Sequence, residues 1–393
     1  MYSIDEGPLK NVVILDPSWL GMRIFGPTLS PENSIIPKLK SVTGRVTLSE
    51  IRRVFSQWNA LSIVHLLQHF ELCHPKDKEA EVYEFPCLIK MQSVFGLWER
   101  DPVMTVYAGI RLAAASSIDM LTAGTFPQVQ SRLQRVFNEG FSDQDLTIWS
   151  EGLKCCRGEV EILVCLSEVH RSIDIKVRGS VESQQECYSL LQQFYSVVQL
   201  AVADSVPGAD IVTHILSVKC LKEHQAPLCY HPWQIFNAQR GDGFVVHPED
   251  ETLQEHILDL LCCGCKELIM AATSVPYLPS SAIPLKTRLK VCQMLDTPHP
   301  LGLDWCIFAL TLGLVDDLPA IDQSSDHSSS TQKVLSFWEN GSQSSLAKMI
   351  DSLIQIGRHD VVKVLIEGIS LFPSANNYLV LNLPGVDATT YVC

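Results

Sequence analysis

Two periods of apolar residues divide the chain. In the last quarter, Leu285, Leu289 and Cys292, then Trp305, Phe308, Ala309 and Leu312, recur at the three- and four-residue spacings that place side chains on one face of a helix. Leu346, Met349, Ile350, Leu353 and Ile354 repeat the spacing before Gly357, a residue suited to a helix C-terminus, and Val361, Val362, Leu365 and Ile369 follow at once. Pro284 to Phe372 therefore predicts short amphipathic helices closing a compact bundle, with enough chain to fold alone.

The first hundred residues are mixed. Val12 to Leu15 is an apolar run of strand length, and Asp16-Pro17-Ser18-Trp19-Leu20 opens a helical stretch. A buried-looking strand so near the start implies a piece of a longer protein with more chain upstream. Thr47-Leu48-Ser49-Glu50 fits a capping box, in which the Thr hydroxyl and the Glu carboxylate satisfy free amides at a helix start. Ile51, Val54 and Phe55 make that helix's apolar face, and Ile63, Leu66, Leu67 and Phe70 the next one. His74-Pro75-Lys76-Asp77-Lys78 reads as a turn between extended pieces, so helices followed by a hairpin predict a small winged-helix-like unit.

After Pro102 the period becomes two. Met104, Val106, Ala108, Ile110 and Leu112 alternate with their neighbours, as do Val160, Ile162, Val164 and Leu166, and Ile173, Ile175 and Val177. These predict half-buried strands of one sheet. Val129, Leu133, Val136 and Phe137 mark one covering helix, and Cys187, Leu190, Leu191, Phe194, Val198 and Ala201 a longer one that stops at Pro207-Gly208. Strands with covering helices give an α+β domain. Gly241-Asp242-Gly243 reads as an exposed turn and Leu253 to Met270 as helix within the stretch that follows.

Composition narrows the function. A hydrophobic share of 46% against 19% charged residues over 393 positions describes folded domains and excludes a disordered chain. No apolar run approaches the roughly 18 residues of a spanning helix, because Gln192, Gln193 and Gln199 interrupt the most apolar stretch. The first residues lack the basic and apolar regions of a signal peptide, so the 14 cysteines are expected as reduced thiols in a cytoplasmic protein. A formal net charge of −14 opposes nucleic acid and anionic lipid as partners. The cluster Lys286, Arg288 and Lys290 reads as a solvated helix face.

Pro300-Leu301-Gly302-Leu303-Asp304-Trp305-Cys306 with Leu312-Gly313-Leu314, Phe337-Trp338-Glu339, and Ile356-Gly357-Arg358-His359-Asp360 together resemble the death domain of the death-associated protein kinases. Val13-Ile14-Leu15-Asp16-Pro17-Ser18-Trp19-Leu20, Tyr107-Ala108-Gly109-Ile110-Arg111 and Ile175-Lys176-Val177-Arg178-Gly179 resemble the COR domain of Roco proteins. The resemblance implies a multidomain chain. An α+β COR-like region, made of a helical, winged-helix-like part over 1–100 and a sheet with covering helices over 101–226, precedes a connector at 227–283. An all-α six-helix death-domain bundle over 284–373 and a tail over 374–393 follow. It further implies a Ser/Thr kinase as the parent protein, COR as a scaffold and homodimer element, and a death domain that docks other proteins in apoptotic or stress signalling. An adaptor that never carried a kinase is the alternative.

Catalytic chemistry is not expected in this chain. It lacks a Gly-x-Gly-x-x-Gly loop, an Asp-Phe-Gly and a phosphate-wrapping Gly-x-x-x-x-Gly-Lys-Ser/Thr loop, and His170-Arg171-Ser172-Ile173-Asp174 has Ser where a kinase's catalytic base would stand. No cofactor is expected. Cys262-Cys263-Gly264-Cys265 contains a Cys-x-x-Cys spacing, but a zinc site needs a second ligand pair and His256 stands alone, so buried free thiols and no metal are expected. Ser324, Ser325, Ser328, Ser329 and Ser330 read as a solvated connection, and Trp305 and Trp338 as core. The candidate partner-binding residues are the acidic pair Asp316 and Asp317 and the basic group Arg358, His359 and Lys363, which would pair head-to-tail between subunits.

Overall fold

The computed structural model describes residues 2–3, 7–10, 12–29, 43–76, 81–91, 96–115, 121, 125–138, 146–167, 172–248, 250–323, 329–341 and 344–371. They form two compact units, one of residues 1–231 with 246–265 and the other of 232–245 with 266–393. The stretch read as a connector is thus shared between them.

The first unit opens with a short strand pair, Tyr2–Ser3 with Val13–Ile14, and a helical stretch from Pro17 to Leu29, and a small strand and helix module follows. Strand β1 (Thr43–Thr47) runs into α1 (Leu48–Val54), α2 (Ala60–His69), β2 (His74–Pro75) and β3 (Val82–Ile89), with strand order β1-β3-β2. Both halves of the Thr47–Glu50 capping box are present: Thr47 N–H donates to Glu50 Oε2 at 2.8 Å and Glu50 N–H to Thr47 Oγ1 at 3.3 Å. Val46, Ile51, Phe55, Ile63, Leu67, Tyr83 and Phe85 are buried together with Leu20 and Ile24. On the other face of the hairpin the largely buried Glu84 gathers Arg45 at 2.7 Å, His74 at 3.4 Å and Lys76 at 3.7 Å, and accepts from Gln134 Nε2 at 3.1 Å. The turn expected between the strands lies partly outside the described residues, at 77–80.

The larger part is an antiparallel sheet built on β4 (Val106–Ala114), β5 (Leu146–Trp149), β6 (Gly152–Arg157), β7 (Val160–Leu166), β8 (Ser172–Gly179), β9 (Ile211–Leu216) and β10 (Cys229–Tyr230). The order is β10-β9-β4-β8-β7-β6-β5. Ile110 pairs with Ile175 and Ile175 with Val164, so the apolar alternation in three strands falls on one face. That face is covered by α4 (Gln184–Ser205), whose Leu190, Leu191, Phe194 and Val198 are buried, and α3 (Phe126–Asn138) packs beside α4. Val136 departs from expectation at 40% exposed: it shares a stripe with the buried Val129 and Leu133 but stands in the last turn of the helix.

The opposite face is polar but is not a plain solvated surface. Arg111 donates to both carboxylate oxygens of Asp174, at 2.6 and 2.8 Å, and Lys176 stands 3.8 Å from the same group. Arg178, under the Trp98 ring at 4.4 Å, donates to Glu161 Oε2 at 2.8 Å and to the Glu99 carbonyl, while Lys154 reaches Glu161 at 3.0 Å. Asp174 and Arg178 are each 4% exposed. Charges removed from water to this degree persist because each has an opposite partner and hydrogen bonds, and removing one partner costs about 3–5 kcal/mol.

Leu253 to Met270, read as helix, is a strand end followed by short helical segments instead. Asp250–His256 is extended, with Leu253 and Glu255 turned inward, and Glu255 accepts from the Lys219 amide and the Tyr230 hydroxyl, both at 2.8 Å. Helix α5 (Ile257–Cys262) starts only after His256, whose Nδ1 accepts from the Leu258 amide at 3.0 Å. Cys262, Cys263 and Cys265 are buried at its end, and burial pushes the Cys263 thiol well above its ordinary value, which disfavours the reactive thiolate.

The second unit is helical. It comprises α6 (Pro232–Arg240), α7 (Ile269–Thr273), α8 (Leu285–Asp296), α9 (Trp305–Leu312), α10 (Leu318–Gln323), α11 (Ser330–Glu339), α12 (Leu346–Gln355) and α13 (His359–Gly368). Phe308, Val334, Leu335, Met349, Ile350, Leu353, Val361 and Leu365 lie in one core, each completely buried. Helix α8 presents a different face from the one predicted. Val291, Cys292 and Leu295 are inside, while Leu285 and Leu289 are 72% and 59% exposed. The physical reason is that Thr287, whose hydroxyl donates to the Gly368 carbonyl at 3.3 Å, and Arg288, which binds α11, set the helix's rotation.

Candidate functional site

The helical unit is terminated by local chemistry at nearly every turn. Asp304 Oδ1 accepts from the Cys306 amide at 3.0 Å, and Ser329 Oγ and Ser345 Oγ cap α11 and α12 in the same way. Gly313 and Gly357 end α9 and α12 with φ of 88° and 76°, a left-handed conformation that a side chain would strain. Ser324, Ser325 and Ser328 lie outside the described residues.

Arg288 and Glu339 tie α8 to α11 through two parallel bonds of 2.7 and 2.9 Å, supported by Gln332 at 3.0 Å and Ser280 at 2.9 Å. Burial alone would raise the Glu339 carboxyl; the bonds from Arg288 and Ser280 outweigh it and hold the group below the usual carboxylate range. Arg288 is therefore not part of a solvated basic face. Trp338 is buried at 4% exposure, whereas Trp305 is half-buried at the edge of the core.

Of the candidate docking residues, Arg358 must be withdrawn. It is 4% exposed, and its guanidinium donates to the Leu303 carbonyl at 2.7 Å, the Met294 carbonyl at 3.0 Å and both Asp360 oxygens at 2.9 Å. Those bonds join the end of α8, the loop before α9 and the start of α13. The sequence shows a cation beside a turn, and the structure spends it on the Met294 carbonyl, which the end of α8 leaves unpaired, and on the loop carbonyl of Leu303. The bond from Arg358 in turn holds the Asp360 carboxyl below its ordinary range.

The other four remain at the surface. Asp316 is exposed and Asp317 half-buried in the turn between α9 and α10. His359 and Lys363 are exposed along α13, where Lys363 reaches Glu367 at 3.8 Å, a weak one-turn pair. The acidic and basic groups stand on different elements. Among the described residues no set of three or more His, Cys, Asp or Glu side chains is placed to hold a metal ion, and no helix is long and apolar enough to cross a membrane.

One element of this unit was missed by sequence reasoning. Helix α6 contributes Phe236 to the helical core, with Trp233 stacked on it at 6.4 Å, and Arg240 binds both oxygens of Asp351 on α12 at 2.8 Å each. The signal was available, since Pro232 opens the helix and Trp233, Phe236 and Arg240 follow at helical spacing. After α7, the segment 278–280 is also fastened to the start of α12: Leu346 N–H donates to the Leu278 carbonyl at 2.8 Å and Ser280 N–H to the Ser344 carbonyl at 3.1 Å.

Comparison with known proteins places a name on the bundle. Residues 288–369 match the family model described as Death domain. The chain is also similar to the "Death-associated protein kinase dapk-1" of Caenorhabditis elegans, with 28% identity over 377 residues. That alignment takes in 92% of this chain and 26% of the relative, so the chain spans about a quarter of the curated relative's length. A mixed helix and sheet region followed by a helical death domain is thus the architecture, and the death domain is a non-catalytic protein-interaction module.

Proposed function

We propose that the chain is the regulatory and interaction region of a death-associated protein kinase-like signalling protein of the cytoplasm, acting in apoptotic or stress signalling. In this reading the first unit is a COR-type scaffold of the Roco family, able to form a homodimer, and the bundle after residue 284 is a six-helix death domain that docks partner proteins. The observation that carries it is the death-domain match over 288–369 on a bundle with a fully buried core. The strand, helix, helix and hairpin module beside an antiparallel sheet supports the scaffold role. Similarity to the nematode kinase over 92% of the chain favours a kinase parent over an adaptor that shares only the death domain.

Docking is electrostatic in this proposal. Asp316 and Asp317 of one subunit meet His359 and Lys363 of the next, which makes association sensitive to salt over the roughly 10 Å screening length at 0.1 M. Sedimentation velocity of the full chain across a concentration series is the test. Asp316→Lys with Asp317→Lys, and separately Lys363→Glu, should each weaken association, and mixing the two variants should restore part of it. Association indifferent to both reversals and to salt would overturn the charge pairing.

A further inference from the structure

Helix α6 lies outside the death-domain match and yet completes the death domain's core. It packs against α13 and the 3-10 turn Val275–Tyr277, its Phe236 is 1% exposed among core residues, and its Arg240 forks onto Asp351. Trp233, Phe236 and Arg240, spaced three and four residues apart, form one stripe of the helix: two aromatic anchors and a terminal cation. The groove that receives this stripe is therefore a preformed site for an amphipathic helix, with an apolar floor and a carboxylate at one end.

We propose that α6 is an exchangeable occupant of this groove, and that the occupant in trans is the α6 of a second copy of the chain. Four observations support exchange. The helix has nine residues, fewer than the roughly 12–15 that hold together without packing. Its cationic anchor is an exposed ion pair, with Arg240 32% and Asp351 51% exposed. Gln239 is 4% exposed, and neither of its side-chain amide atoms finds a hydrogen-bond partner among the described residues, so the seated helix carries a built-in penalty. The chain enters the helical unit at 232, leaves it at 246 and re-enters at 266, so α6 is an excursion, and Gly241 and Gly243 directly after it provide a hinge on that side. Short elements connected in this way exchange between identical subunits at low cost. The inference rests on the reading of the helical unit as a docking module and names one of its partners.

The test uses the full chain. Arg240→Cys with Asp351→Cys is prepared in nitrogen-14 and nitrogen-15 forms, mixed, bridged with a short bis-maleimide and digested, and the linked 240–351 peptides are weighed. Exchange predicts mixed-isotope links whose share rises with protein concentration; same-isotope links alone at every concentration would overturn the proposal. As a second arm, a fluorescent peptide of residues 230–245 is titrated into Trp233→Ala/Phe236→Ala chain, whose groove is vacated, and into Arg240→Glu chain, which loses no core side chain. At least tenfold tighter binding than by the unaltered chain, abolished by Asp351→Arg and restored by a peptide with Arg240→Asp, is expected. Equal, unsaturable binding by all chains would refute the groove. Persistence of the salt-sensitive association at Asp316, Asp317 and Lys363 alongside either refutation would leave the docking module standing and remove only α6.

Discussion

Replacement of Arg358 separates a structural from a docking role. In Arg358→Ala the Leu303 and Met294 carbonyls lose a charged donor, and Asp360 loses two bonds. A hydrogen bond to a charged group contributes about 1.5–3 kcal/mol. Leu303 and Met294 are half-buried, so water recovers part of that, and the Asp360 side chain is 54% exposed, which reduces its share to well under 1 kcal/mol. The expected loss is about 3 kcal/mol, a large part of the ~5–15 kcal/mol that holds an ordinary domain. Arg358→Lys keeps the charge but cannot fork to two carbonyls and a carboxylate, so roughly half of the loss is expected. Urea unfolding followed by hydrogen exchange in peptides covering α12 and α13 reads the effect where it arises. An unchanged unfolding midpoint, with weakened self-association in the same variant, would refute the reasoning and return Arg358 to the docking surface.

Other consequences are equally direct. Glu84 has its carboxyl pulled from an ordinary 4.5 to about 2, since bonds from His74 and Arg45 overcome the opposing effect of burial. Its contribution is fully present above about pH 4.5 and is lost as the pH falls toward 2. Glu84→Gln should therefore lower stability at pH 6 and leave it nearly unaltered at pH 2, as read by acid titration of circular dichroism; a constant difference at both would contradict the linkage. Trp338→Ala should cost about 3–5 kcal/mol and Trp305→Ala less than half as much, because only the first ring is fully buried; equal shifts in melting temperature would contradict that ranking. The fragment 284–373 is expected to melt with weak cooperativity, since it lacks Phe236, Val275 and Ile283, and each such side chain stabilises by about 1.5–3 kcal/mol on burial; a sharp melt matching that of 232–373 would show that α6 and the 275–283 segment are dispensable.

Much of the fold was legible where one pattern dominated. Helices α12 and α13 have a single apolar stripe each, and the strands β4, β7 and β8 alternate cleanly, so period alone located them. Helix α8 carries two overlapping stripes, 285-289-292 and 291-292-295, and period alone gives no reason to choose between them. Contacts from Thr287 and Arg288 decide, and their partners Gly368 and Glu339 lie 81 and 51 residues away. Strands β5, β6 and β9 do not stand out in the sequence because runs of four to six residues are too short for a period to show, and β6 and β9 also carry glycine, cysteine or histidine.

The candidate site was less legible because a charge in the sequence does not reveal whether it is already engaged. Arg111 finds Asp174 across 63 positions, Arg288 finds Glu339 across 51, and Arg358 reaches Met294 across 64. Each of these cations looks available when only its neighbours are read. A cation whose donors are taken by internal acceptors cannot serve a partner without breaking the fold, so these three are removed from any docking surface by the same geometry that makes them stabilising. Asp316, His359 and Lys363 escape this, since they are exposed and Lys363, among the described residues, meets Glu367 one turn on at 3.8 Å. A smaller set of charges is also a more specific one: in the proposed docking, a subunit whose acidic turn meets the basic helix of the next is constrained in orientation as well as in sign.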